Sequence, residues 1–133
     1  LLAIAPQWRG TQVLVHSIAI PVILGVLYTY LLGTALFGDV ETPEGASFTS
    51  LTGVMGFFTV KIAALAGWVH YLVFDLFVGA WETRDATRRG VPRLVLIPCL
   101  FFTLMAGPLG LLLYLVARMV LSRGGVSLSE QQS

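Results

Sequence analysis

The sequence predicts an all-α fold: a polytopic transmembrane helix bundle with three spans in this chain plus the remnant of a fourth at the N-terminus. Three observations lead there. The 133 residues are 56% hydrophobic and only 11% charged, with a mean hydropathy of +0.85, far less charge than the surface of a soluble domain carries. Three apolar segments, about 13–37, 59–81 and 94–120, each exceed the ~20 residues that carry a helix across ~30 Å of hydrocarbon. Breakers and charges collect between them. Helices are the predicted spanning form, because a backbone in lipid must satisfy its own hydrogen bonds.

The elements follow in order. The opening LLAIAPQW is apolar, stops near Pro6, and carries Trp8 and Arg9 where an interface would fall. It reads as the tail of another helix, with a short interfacial or signal-derived stub as the alternative. The chain begins at Leu1 without an initiator Met, which suggests a fragment or a processed form. Residues 38–46, GDVETPEGA, form an acidic loop with Gly and Pro as breakers. In 47–58, Phe48, Leu51, Thr52 and Met55 recur at helical spacing. That pattern predicts a short interfacial helix capped by Ser47 or Ser50. Residues 82–93, ETRDATRRGVPR, form a basic turn whose Gly90 and Pro92 restart the next helix. A single transmembrane domain, 1–121, is followed by a flexible tail, 122–133.

Arg9, Arg84, Arg88, Arg89 and Arg93 fall on one side of this arrangement, and Lys61, Arg118 and Arg123 on the other. The positive-inside rule then makes the 82–93 turn cytoplasmic, with the 38–46 loop and the C-terminal tail opposite. A net charge of +1 gives no reason to expect nucleic acid, and the lone Cys99 excludes an internal disulfide or a multi-cysteine metal site. There is no Gly-rich nucleotide loop and no zinc spacing, so no metal is expected.

The second span holds the polar residues that need explaining. On a helical wheel Trp68, Tyr71, Asp75, Gly79 and Glu82 form one stripe, and His70, Phe74, Phe77 and Trp81 another. His70 and Asp75 are five residues apart and diverge by about 140°, so they make no dyad on this helix. Asp75 lies roughly 10 Å from the cytoplasmic end, where an ionised carboxylate costs several kcal/mol unless paired. It is either a proton carrier or an inter-helix anchor, with Tyr71 one turn away as a donor. His70 and His16 differ in depth by roughly 10 Å, which rules out a bis-histidine haem. A lone His70 serves as an inter-helix hydrogen-bonding residue or, less readily, as a contact to a chlorophyll-type pigment. In the third span, Pro98 and Pro108 free the carbonyls of Leu94 and Leu104 and predict a bent helix. Cys99 reads as a small buried apolar residue.

Residues 66–114, AGWVHYLVFDLFVGAWETRDATRRGVPRLVLIPCLFFTLMAGPLGLLLY, carry a family resemblance. Trp68-x-His70 is followed by Asp75-Leu76-Phe77, an acidic Asp85, Pro98-Cys99-Leu100 and Gly107-Pro108-x-Gly110-Leu111. This pattern resembles the core of the ABA4-like membrane proteins, closer to their bacterial branch. Arg93 stands where many members have His after Gly-x-Pro. The resemblance implies a link to carotenoids: in plants the family is tied to neoxanthin formation from violaxanthin in plastid membranes.

Turning an epoxycarotenoid end group into an allene is an isomerisation that requires no cofactor. It needs an acid at the epoxide oxygen and a base at the adjacent polyene carbon. On that chemistry Asp75 is the candidate acid or base, His70 its partner and Tyr71 the orienter, while Trp68, Phe74, Phe77 and Trp81 wall a polyene channel. Glu82 and Asp85 read as solvated interfacial acids paired with Arg84, Arg88 or Arg89. The alternative is a non-catalytic accessory subunit holding a carotenoid or chlorophyll-type pigment within a larger photosynthetic complex. The expected partners are the lipid bilayer, such a pigment, and other membrane subunits.

Overall fold

The computed structural model describes residues 17–41, 43–121 and 128. Those residues form five helices: α1 Ala19–Phe37, α2 Leu51–Phe58, α3 Lys61–Arg89, α4 Arg93–Ala106 and α5 Pro108–Val120. The described helices divide into two compact units, 18–73 and 74–121.

In the first unit, α1 is apolar on every side, as a helix bathed in lipid should be. Only Leu31 and Ala35 are buried, while Ile23, Val26 and Tyr30 are exposed. Leu31 packs with Ala66 and Val69 of α3, and Leu24, Tyr28, Ile62 and Val73 flank them. Thr29 and Thr34 return their hydroxyls to the carbonyls of Gly25 and Tyr30, which keeps both polar groups satisfied within the helix. Ser50 is the cap of α2: its extended backbone lets Oγ accept from the Gly53 amide at 3.1 Å.

In the second unit, α3 ends in a Schellman turn. Gly90 takes φ +67°, and the Val91 amide reaches back to the Ala86 carbonyl at 2.9 Å. Val91 and Ala86 are both buried in one cluster with Leu96, Cys99 and Tyr114, giving the turn its apolar clasp. Pro92 then enters α4 in an extended conformation.

The expected third span is the main correction. Residues 94–120 are not one bent helix. Gly107, at φ +45° and ψ −100°, ends α4 and begins α5, with Pro108 in the first turn of the new helix. A side chain is strained at that φ, so glycine permits a reversal where the sequence suggested only a kink. Thr103 lies against Gly110, and Cys99 clusters with Tyr114, so α4 and α5 run antiparallel. At 14 and 13 residues they are only ~20 Å long, short of the ~30 Å hydrocarbon core. Among the described residues two helices, α1 and α3, are long and apolar enough to cross a membrane. The bundle of three spans and a remnant is therefore replaced by two span-length helices, a short α2 and a helical hairpin. The proposed N-terminal remnant, with Trp8 and Arg9, lies outside the described residues, as does His16 of the expected first span.

Candidate functional site

The second half of α3 carries three acids, Asp75, Glu82 and Asp85, and all three are buried. The hairpin supplies what holds two of them. Gly110 has no side chain, and a Cβ there would collide with the backbone and hydroxyl of Thr103. Its bareness therefore fixes how closely α5 approaches α4. Thr103, so seated, donates its hydroxyl to Glu82, 3.0 Å from Oε1 and 3.1 Å from Oε2.

One turn further along α3, Asp85 is a hub. Its Oδ2 accepts from Tyr114 Oη at 2.7 Å and Arg118 Nη1 at 3.0 Å. Its Oδ1 accepts from Arg89 Nε at 2.8 Å and Arg88 Nη2 at 3.0 Å. Four donors on two oxygens use the acceptor capacity of a carboxylate in full. Tyr114 and Arg118 are one turn apart on α5, so a single face of the hairpin delivers both. Burial, and then the hydrogen bond to Asp85, raise the Tyr114 hydroxyl above its ordinary value, so it stays a donor. Trp81 closes the side of the hub, its ring edge-on to Tyr114 at 5.8 Å.

Two expectations change here. Glu82 and Asp85 are fully buried rather than solvated, because the hairpin folds over them. Arg118 was placed on the side opposite Arg88 and Arg89, yet all three meet on Asp85. Reversal at Gly107 is the reason. Of the expected partners Arg84, Arg88 and Arg89, the last two form ion pairs with Asp85, three and four residues on.

The predicted site residues fall as follows. Asp75 is 8% exposed and sits midway along the 29-residue α3, in the second unit. His70 and Tyr71 belong to the first unit. There His70 is exposed on one side and has the Tyr28 ring 5.5 Å away. These two are the polar members of an otherwise apolar cavity of about 210 Å³, lined also by Phe48, Phe57 and Phe58. Tyr71 is half-buried. Trp68, Phe74 and Phe77 are exposed on the surface of α3. Cys99 is buried, and its thiol donates to the Val95 carbonyl at 3.2 Å. Among the described residues no three His, Cys, Asp or Glu side chains gather as a metal site.

A family model for ABA4-like (ABA DEFICIENT 4-like) proteins matches residues 1–114. The chain belongs to the ABA4-like family. It is similar to the protein ABA DEFICIENT 4, chloroplastic, of Arabidopsis thaliana, at 27% identity over 131 residues, which is 92% of this chain. The chain spans 56% of the length of that relative. No solved structure matches it. The family match covers Asp75, Glu82, Asp85, Thr103, Gly110 and Tyr114, and Arg118 lies beyond it.

Proposed function

We infer that this chain is a membrane-embedded isomerase of the ABA4-like kind, acting on the epoxidised end group of a carotenoid by acid–base chemistry. One observation carries the reading: two buried carboxyls, Asp75 and Glu82, on one stripe of a span-length apolar helix. Seven residues separate them, on the order of 10 Å of helical rise, a separation on the scale of one ring end group. Asp85 is committed to three cations. Glu82, by contrast, is met by a neutral hydroxyl, which leaves a carboxyl able to give or take a proton. Membership of the family and the likeness to ABA DEFICIENT 4 support the substrate class.

The chemistry divides between the two groups. Glu82, toward the polar end of α3, gives its proton to the epoxide oxygen as the ring C–O bond breaks. Asp75, deeper in the apolar stretch, removes the proton from the adjacent polyene carbon. The electron pair so released forms the second of two cumulated double bonds, and the product is an allenic alcohol isomeric with the substrate. Buried carboxyls inside a membrane helix are costly to keep and mark functional positions by default. The lipid-soluble substrate reaches the site without entering water.

The test is conversion of an epoxycarotenoid by the purified protein in liposomes, with the allenic product separated by chromatography. Asp75→Asn and Glu82→Gln should each abolish product while the helical content and monodispersity of the protein are retained. Full turnover by Asp75→Asn, or no allene from any epoxycarotenoid with the wild type, overturns the reading. The exposed Phe74 and Phe77 favour a second reading, a non-catalytic subunit that holds pigment on that face. A stoichiometric bound pigment without turnover would support it.

A further inference from the structure

We propose that Thr103 is a positioning residue for the proton of Glu82, its hydroxyl holding the acid form of Glu82 through two hydrogen bonds, one given and one received. The inference rests on the acid role given to Glu82 above. The first argument is where Thr103 directs its hydroxyl. A threonine inside a helix commonly returns its hydroxyl to the carbonyl four residues back. Thr29, Thr34, Thr83 and Thr87 all do so, at 2.8–2.9 Å. Thr103, also inside a helix, sends its hydroxyl to Glu82, 21 positions away. The bare face of Gly110 makes room for this, since a Cβ there would collide with the Thr103 hydroxyl.

The second argument is geometry. Thr103 Oγ1 lies 3.0 Å from Oε1 of Glu82 and 3.1 Å from Oε2. A hydroxyl has one hydrogen, so it does not donate to both oxygens at full strength. It can donate to one and accept from the other. A protonated carboxyl offers that combination, one carbonyl oxygen and one O–H. The near-equal distances fit such a closed pair, in which each hydroxyl donates once.

The third argument is burial. Glu82 is 0% and Thr103 1% exposed, so bulk water reaches neither. Among the described residues no cation forms an ion pair with Glu82; the ion pairs of this stretch are made by Asp85. An ionised carboxylate so placed would set one neutral hydroxyl against a desolvation cost of several kcal/mol. The neutral acid leaves neither of its oxygens unmatched. A resting proton is thereby parked between Glu82 and Thr103. When a substrate oxygen replaces Thr103 as the acceptor, the proton passes to it, and Thr103 goes on donating to the carboxylate left behind.

The test is infrared spectroscopy of the full chain in liposomes, with Glu82→Gln to assign the Glu82 carboxyl. The wild type should show a protonated-carboxyl C=O band that Glu82→Gln removes. Thr103→Val, of the same shape without the hydroxyl, should move that band to higher frequency, and Thr103→Ser should restore it. With an epoxycarotenoid supplied, Thr103→Val should lower kcat about tenfold, the worth of one hydrogen bond, with KM changed by less than about twofold. Thr103→Ser should recover most of that rate. If Glu82→Gln removes no such band, the acid is ionised at rest and the proposal is overturned without recourse to any threonine variant. An unchanged band in Thr103→Val overturns it as well. The expected bands in a wild type that forms no allene overturn the isomerase reading instead, and support the pairing.

Discussion

Replacing Asp85 by Asn should destabilise the protein more than removing any one of its arginines. The magnitude follows from the count of partners. Arg118→Met takes one donor of four from Asp85 and leaves Tyr114, Arg88 and Arg89 in place. The loss is that of one charge-assisted hydrogen bond, about 1.5–3 kcal/mol. Asp85→Asn removes the carboxylate that three guanidiniums share and turns an amide NH₂ toward at least one donor. Arg118, 2% exposed, is then a buried charge that has lost the Asp85 carboxylate. Breaking a buried pair in that way costs about 3–5 kcal/mol. The double variant should be more stable than the sum of the two losses by over ~1 kcal/mol, because Arg118→Met removes the charge that Asp85→Asn strands. The assay is reversible unfolding in mixed micelles, followed by far-ultraviolet circular dichroism, for the two single variants and the double. Additivity within ~0.5 kcal/mol, or a larger loss for Arg118→Met than for Asp85→Asn, would refute the hub.

Three further outcomes are expected. Gly110→Ala places a methyl in the Thr103 backbone and should cost about 1–3 kcal/mol in the same unfolding assay, as overpacking does, whereas Leu109→Ala, at an exposed neighbour, should cost less. In a Cys99→Ala background, cysteines at the exposed positions Thr87 and Val120 should be labelled by a membrane-impermeant maleimide from the same face of sealed vesicles; labelling from opposite faces would restore a continuous span. Ser50→Ala removes the cap of α2 and should cost about 1 kcal/mol, seen as faster amide exchange at Gly53 with α3 unchanged.

The sequence makes the helical class and the two long apolar helices legible because their signal is local: an unbroken apolar run reports its own length. The cap at Ser50, one of the two candidates, is legible for the same reason, whereas the basic turn expected over 82–93 shrinks to 90–92 because α3 runs on to Arg89. The hub is not legible. Asp85 and Arg118 are 33 positions apart, and their meeting depends on one dihedral at Gly107. Gly107-Pro108 was visible, but a proline inside an apolar run marks either a bend or the first turn of a new helix. Read as a bend, it sent Arg118 to the far side and left Glu82 and Asp85 in water. Two signals pointed the other way: Tyr114 and Arg118 share a face of α5, and Gly110 offers a bare surface to whatever lies across the turn. Asp75, set within an apolar run of the sequence, is 8% exposed.

The reversal at Gly107 also bears on how the chain enters a bilayer during synthesis. A continuous helix over 94–120 would carry Arg118 through the hydrocarbon, and an arginine at the centre of an inserting helix is penalised by roughly 2.5–3.5 kcal/mol. A hairpin avoids the crossing, because α5 brings the arginine back to the level at which α4 began. One glycine decides whether Arg118 ends a helix length away from Asp85 or beside it.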